Sequence, residues 1–321
     1  RGMFATLVFF FLLTGCILTH PALSLQYASL GLELWFTRMI PALLPFMILS
    51  GIMIQLQLTE KISMLLYPVL KPLYHVRKNV CYCILLGFLC GFPMGAKTVA
   101  DLYERKKLTA SEANFLLSFC NHIGPVYFCS FALPLLGRKL RLPYLLGMYA
   151  IPLLYGLVLR YTVYSRVEEP ESISRTDVAF GNTKRKHISC RNVKIHWQDV
   201  LSATNLSITG SLQSILQLGG YMILFNLFNL LPHCLSGKPF PLLAPLLEIS
   251  GGLLQLQDSL PLYSLLAVSF GGLSCIAQTY SCISKTDLSL SDYIIHKTIL
   301  TLFTLLFYLG WRLLFPGSFL S

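Results

Sequence analysis

The sequence predicts an all-α polytopic integral membrane protein made of two pseudosymmetric repeats with interrupted or re-entrant helices. Three observations carry that expectation. Of the 321 residues, 55% are hydrophobic and only 12% are charged, and the mean hydropathy is +0.64, a balance found in chains buried in lipid. Glycine and proline interrupt the apolar runs, most sharply over Gly87 to Asp101. That design recurs: Gly91 to Glu112 and Gly271 to Asp292 share a glycine-rich break, a small residue before a long polar one (Ala96-Lys97, Ala277-Gln278), and then Leu-hydroxyl-x-Ser-acid.

Taken in order, Met3 to Leu18 reads as an uncleaved first membrane helix, because further apolar runs follow at once, although Leu13-Thr14-Gly15-Cys16 has the form of a lipoprotein cleavage site. Leu30 to Leu58 is long enough to cross a bilayer, and Pro41 and Pro45 near its middle predict a kink or a break. Ile62 to Tyr74, with Pro68 and Pro72, has the length of a re-entrant or interfacial segment. Cys81 to Ala100 holds the main interruption. Thr109 and Glu112 then have capping-box spacing, which starts the next helix near residue 110. That helix runs to Leu136 and carries a polar cluster with its own break, Ser118 to Pro125, and Leu142 to Tyr164 is one more span.

Ser165 to Asp199 mixes acidic residues with Lys184-Arg185-Lys186 and has no apolar period, which predicts a solvated, flexible loop. Its excess of Lys and Arg places it in the cytoplasm. Arg138-Lys139-Leu140-Arg141 is also basic and only one apparent span away, so one of the two lies on the disfavoured face unless a neighbouring segment enters and leaves by the same side. Leu206 to Leu231 contains Gly219-Gly220, Leu242 to Leu256 is short and holds Glu248, Leu262 to Ile283 carries Gly271-Gly272, and Tyr293 to Phe315 ends in the interfacial pair Trp311-Arg312. The organisation expected is an N-terminal membrane helix (1–27), a first repeat (28–136), a connecting helix (137–164), the loop (165–199) and a second repeat (200–321). Upstream of the shared motifs, Pro41 to Gln57 matches Pro241 to Gln257 at several positions. The pairing of Leu44-Pro45-Phe46 with Leu218-Gly219-Gly220 is preferred because it keeps the copies nearly equal in length.

Pro93 removes a backbone donor and disfavours helix at Phe92, while Gly91 and Gly95 permit conformations that other residues resist. In hydrocarbon such a break survives only where the freed N–H and C=O groups face protein, water or a ligand. Transporters use broken helices to build sites at the membrane midplane. The breaks at Gly91 to Gly95 and Gly271 to Cys275 are therefore expected to be non-helical and to approach one another. The net charge of +11 comes from short loops between apolar runs and implies membrane orientation, with no nucleic-acid partner. The ten cysteines show no metal-ligand spacing. Neither a P-loop, a dinucleotide fingerprint nor a nucleophile-base-acid set is visible, so no cofactor and no enzymatic activity are expected.

Gly91-Phe92-Pro93-x-Gly95-Ala96-Lys97, Ser118-Phe119-x-Asn121-x-x-Gly124-Pro125, Glu248-Ile249-Ser250 and Ala277-Gln278 together resemble the sporulation integral membrane protein YlbJ family. That family is also called stage V sporulation protein and contains the Gate, or nucleoside recognition, membrane domain. The resemblance extends from about residue 30 onward; His122 and Ile123 stand where that family more often has small hydroxyl residues. It implies a multi-pass protein of the outer forespore membrane, made in the mother cell, whose solute is dipicolinic acid.

The candidate solute-binding residues are Gly91, Pro93, Gly95, Lys97, Asn121, Gly271, Ser274 and Gln278, with Glu248 and Asp101 as candidates for gating or coupling. Lys97 is either the cation that meets an anionic solute or the partner of Asp101 four residues on. Glu248, a carboxylate inside an apolar segment, is either a protonation-dependent gate or the cap of a re-entrant turn. Asn121 and Gln278 can donate and accept toward a ligand or toward neighbouring helices. Two function classes follow: a carrier of a small organic anion, with nucleoside-like compounds as an alternative solute, and a non-transporting membrane scaffold acting through the 165–199 loop.

Overall fold

Three prolines that lie inside long apolar helices are accommodated in one way. The computed structural model describes residues 2–137, 142–165, 196–257 and 259–315. In it, single π turns at Trp35–Met39, Phe128–Ala132 and Leu146–Ala150 each end two residues before a proline, at Pro41, Pro134 and Pro152. The residue between turn and proline donates to the carbonyl five positions back: Ile40 to Trp35, Leu133 to Phe128 and Ile151 to Leu146. The wide turn absorbs the missing donor and the ring without ending the helix. Of the kink or break expected at Pro41 and Pro45, the break is absent: Pro45 lies inside α3, and Pro21–Gln55 runs on as one 35-residue stretch.

The elements are α1 (Gly2–Thr19), α2 (Pro21–Leu34), α3 (Ile40–Gln55), α4 (Thr59–Ser63), α5 (Tyr67–Tyr74), α6 (Lys78–Cys90), α7 (Met94–Glu104), α8 (Ala110–Cys120), α9 (Pro125–Tyr127), α10 (Leu133–Leu135), α11 (Leu142–Leu145) and α12 (Ile151–Tyr161). After the 165–199 region come α13 (Trp197–Leu227), α14 (Leu230–Ser236), α15 (Ala244–Leu247), α16 (Ile249–Leu256), α17 (Pro261–Phe270), α18 (Gly272–Ile283) and α19 (Leu290–Leu314). All regular structure among the described residues is helical, and six stretches are long and apolar enough to cross a membrane. The chain is an all-α, multi-pass membrane protein.

The capping box predicted at Thr109 is present: the Glu112 N–H donates to Thr109 Oγ1 at 3.2 Å, and the Thr109 N–H donates to Glu112 Oε2 at 2.8 Å. Glu112 also accepts from Arg77 Nε at 2.7 Å, which pins the start of α8 to the start of α6. Ser289 caps α19 in the same manner, accepting from the Asp292 N–H at 3.1 Å. The basic loop at 138–141 and most of the 165–199 loop lie outside the described residues. The part of the latter that is described begins helix at Trp197, behind His196, so α13 starts earlier than expected. The divisions placed at 27/28 and 199/200 fall inside α2 and α13, because Pro21 and His196 open those helices.

The two long helices cross antiparallel. Trp35 Nε1 donates to the Ile215 carbonyl at 2.8 Å, its ring lies against Gly219, Gly31 faces Ile223, and Gly51 faces Ser207. Gly219 therefore marks a close helix crossing within a continuous α13. The interior is formed by α6, α7 and α8, where Val80, Cys81, Tyr82, Cys83, Ala113, Phe115 and Leu116 are fully buried. The exposed apolar residues lie on the outside, on α1, α13 and α19 among others, as lipid contact requires.

Candidate solute site

Three helices break at one place. α6 ends at Cys90 because Gly91 adopts φ +78 and ψ −167, a backbone that L side chains resist. A Cβ there would also overlap the backbone nitrogen of Gly124, in the second break, between α8 and α9. The Phe92 N–H, freed by the interruption, donates to the His122 carbonyl at 2.8 Å, so one break satisfies the other. The third break, at Gly271 (φ +89), lies against the first: a Cβ there would sit 3.2 Å from Phe92 Cζ. The breaks thus meet, as expected, but they are narrower than Gly91 to Gly95 and Gly271 to Cys275. Gly95 already lies in α7, and Gly272 to Cys275 in α18.

Asn121 stands at the centre. Its Oδ1 accepts from the Ala96 N–H at 3.3 Å, and its Nδ2 donates to Thr279 Oγ1 at 2.8 Å and to Tyr293 OH at 3.2 Å. These bonds bind α7, α18 and α19 to the broken α8, which is the interhelical role of such a side chain. Ser274 is buried and accepts from Gln278 Nε2 at 2.9 Å.

Beside the breaks runs a narrow crevice lined by Phe92, Gly124, Tyr127, Glu248, Ser250 and Gln278 together with apolar residues of α3 and α13. Its free volume is about 40 Å³, room for a few waters at most. Glu248, 2% exposed, separates α15 from α16. Its carboxylate accepts from the Ser250 N–H at 3.1 Å, the Gly251 N–H at 2.7 Å and Asn226 Nδ2 at 3.0 Å. This is the N-cap geometry of a helix start. Tyr127 OH and Ser250 Oγ, 2.9 Å apart, complete the polar edge.

The cation nearest the breaks is one that sequence reasoning missed. Lys297 of α19 is 2% exposed; its Nζ lies 3.1 Å from the Asn121 carbonyl oxygen, 3.2 Å from His122 Nδ1 and 5.2 Å from the centroid of Phe92. Among the described residues no carboxylate lies within ion-pair distance of it. His122 is itself fully buried, and its Nε2 makes no well-formed hydrogen bond. The signal was present in the sequence: Tyr293, Lys297, Leu300, Thr304 and Tyr308 form the buried stripe of α19 at helical spacing.

Residues 36–141 match the Gate family model, described as nucleoside recognition. Over 343 residues the chain is 27% identical to the sporulation integral membrane protein YlbJ of Bacillus subtilis (strain 168), covering 96% of this chain and 83% of that protein. The chain is similar to the Gate model over about a third of its length and to YlbJ over most of it. No solved structure matches it significantly. The Gate segment contains the first two breaks, with Gly91, Pro93, Gly95, Lys97, Asp101 and Asn121, whereas Glu248, Gly271, Ser274, Gln278 and Lys297 lie beyond it and close around it from the second half of the chain.

Within the Gate segment, Lys97 and Asp101 stand apart from Glu248 and Gln278. They pair with each other, Lys97 Nζ to Asp101 Oδ2 at 3.4 Å, both partly exposed. Together with Arg105 they line a second crevice between α3, α7 and α13. The expected residues thus divide: Gln278 and Glu248 line the crevice beside the breaks, Gly91, Pro93 and Gly271 shape those breaks, Asn121 braces them with Gly95 packed against it, Ser274 holds Gln278 within α18, and Lys97 and Asp101 face another opening.

Proposed function

We propose that this protein carries a small organic anion across a membrane through the crevice at the meeting of its broken helices. The observation that carries the reading is Lys297: a buried lysine with no carboxylate at ion-pair distance among the described residues, 5.2 Å from the ring of Phe92, which lines the crevice. A cation in that setting is costly and marks solute or ion pathways. Three breaks that meet, two of them joined by the bond from the Phe92 N–H to the His122 carbonyl, have the usual architecture of a midplane site. The same order of elements in both halves, with α2–α3 antiparallel to α13, fits two inverted copies, each a long helix followed by short segments, a glycine break and a capped helix.

The solute we favour is dipicolinate, moved across the outer forespore membrane during sporulation. The sporulation name of the Bacillus relative and the family motifs support that choice, and an aromatic dicarboxylate suits an apolar crevice edged by Tyr127, Ser250, Gln278 and a nearby cation. The role is transport, with no catalytic step. Proteoliposomes holding the purified protein test it: saturable uptake of labelled dipicolinate above that of empty vesicles is expected. Uptake equal to empty vesicles removes the reading, and uptake of labelled uridine alone replaces the anion with a nucleoside.

A further inference from the structure

The crevice beside the breaks is the middle of three that follow one another along the same helices. On the α2–α3 stretch, one opening is lined from Leu23 to Glu33, the narrow crevice from Met39 to Phe46, and the Lys97 opening from Met47 to Gln55. The long second-half helix repeats the series in reverse, as its antiparallel course requires. His233 of α14 is in the first opening, Met222 and Leu218 in the second, and Ser211 to Leu206 in the third. The order also holds along α6 and α7, from Cys90 and Phe92 to Lys97 and Arg105. Free volumes are about 550, 40 and 160 Å³ in that sequence. At roughly 1.5 Å per residue, Leu23 to Gln55 spans about 48 Å, more than the hydrocarbon thickness of about 30 Å.

From this series we infer that the three crevices are one translocation path, with a vestibule at each end and an apolar neck that closes it at the level of the helix breaks. The inference rests on the transport reading and adds its route and its gate. The neck is made by Met39, Leu43, Phe46, Phe92, Leu218 and Met222. Side chains of that kind shut a pore by excluding water, without a plug. The vestibules differ in charge. Glu33 and His233 stand in one, while Lys97 and Arg105 outnumber Asp101 in the other, so an anion is held better at the Lys97 mouth. Phe92 belongs both to the neck and to the first break, where it touches Gly271, so a shift of either broken helix moves the constriction.

Site-resolved thiol labelling in sealed vesicles tests the path. Two native cysteines, Cys90 and Cys275, line the neck and are buried, and Ser29→Cys and Gln55→Cys put one probe in each vestibule. With an impermeant maleimide and peptide mass spectrometry as readout, the two introduced thiols should react from opposite sides with at least tenfold preference. Cys90 and Cys275 should be protected in the wild type, and Leu43→Ala or Met222→Ala should speed labelling of Cys90 at least tenfold. Labelling of both vestibule probes from the same side overturns the path, as does an unchanged Cys90 rate in both neck variants when these insert normally. The vestibule arm decides alone if the neck variants do not insert. Labelling reads geometry and not flux: the expected pattern without dipicolinate uptake keeps the path and removes the solute, while uptake with the wrong pattern removes the path alone.

Discussion

The Lys297 ammonium lies 3.1 Å from the Asn121 carbonyl oxygen, at the residue where α8 ends and its helix dipole presents negative charge. The cation therefore holds a freed carbonyl and also faces Phe92 at the neck. Replacing it removes a donor from the carbonyl, at about 1–3 kcal/mol for an unsatisfied buried group, and relieves the cost of burying a charge. We expect Lys297→Met to change stability by no more than about 1 kcal/mol net, read as a small shift of the thermal midpoint in detergent. A collapse of the midpoint would make the residue a structural strut only.

Gly91→Ala should be poorly tolerated. Its backbone, φ +78 and ψ −167, costs a side chain about 1–3 kcal/mol, and the new methyl would overlap Gly124. Gly220→Ala, in continuous helix with open space around the position, should be neutral or raise stability by about 0.4–1 kcal/mol. Thermal unfolding of the two variants side by side checks the contrast.

Glu248→Gln keeps the shape of the side chain but turns one acceptor oxygen into a donor that faces donors. Since all three partners of the carboxylate donate, the change should destabilise by about 1–3 kcal/mol and lower transport without altering its pH profile. A flattened pH profile at unchanged stability would instead make Glu248 the gate.

Lys97→Met removes an i,i+4 pair that contributes only about 0.3–0.5 kcal/mol, so stability should hardly move. In the vestibule the lost charge should raise the dipicolinate concentration needed for half-maximal flux several-fold at low salt, an effect that fades as salt screens the mouth. Flux measured at two ionic strengths decides this, and no change at either would take Lys97 out of the path.

Much of the scaffold was legible because glycine, proline and capping residues act through local backbone geometry. Gly91, Pro93 and Gly271 announced their breaks, and Thr109 with Glu112 announced the start of α8. Pro41 suggested a break that is absent, because a π turn ending two residues upstream let the helix pass through it. Such a register change depends on packing that no local pattern records. Glu248 was visible as an anomaly, but its three donors come from the turn it caps and from Asn226 in α13. Lys297 hid near the start of the last apolar run, where a lysine reads as an interfacial anchor, and only the burial of its whole stripe showed otherwise. That Lys97 and Gln278, matched by the repeat, open into different crevices followed from tertiary placement alone.

The central claim is that an anion crosses beside the broken helices under the influence of Lys297. Its most direct test is dipicolinate counterflow in vesicles reconstituted with equal, correctly inserted amounts of wild type and Lys297→Met. The account predicts saturable exchange in the wild type and at least a tenfold lower rate in the variant at similar stability. Equal rates in the two, or wild-type exchange no faster than in empty vesicles, would contradict it.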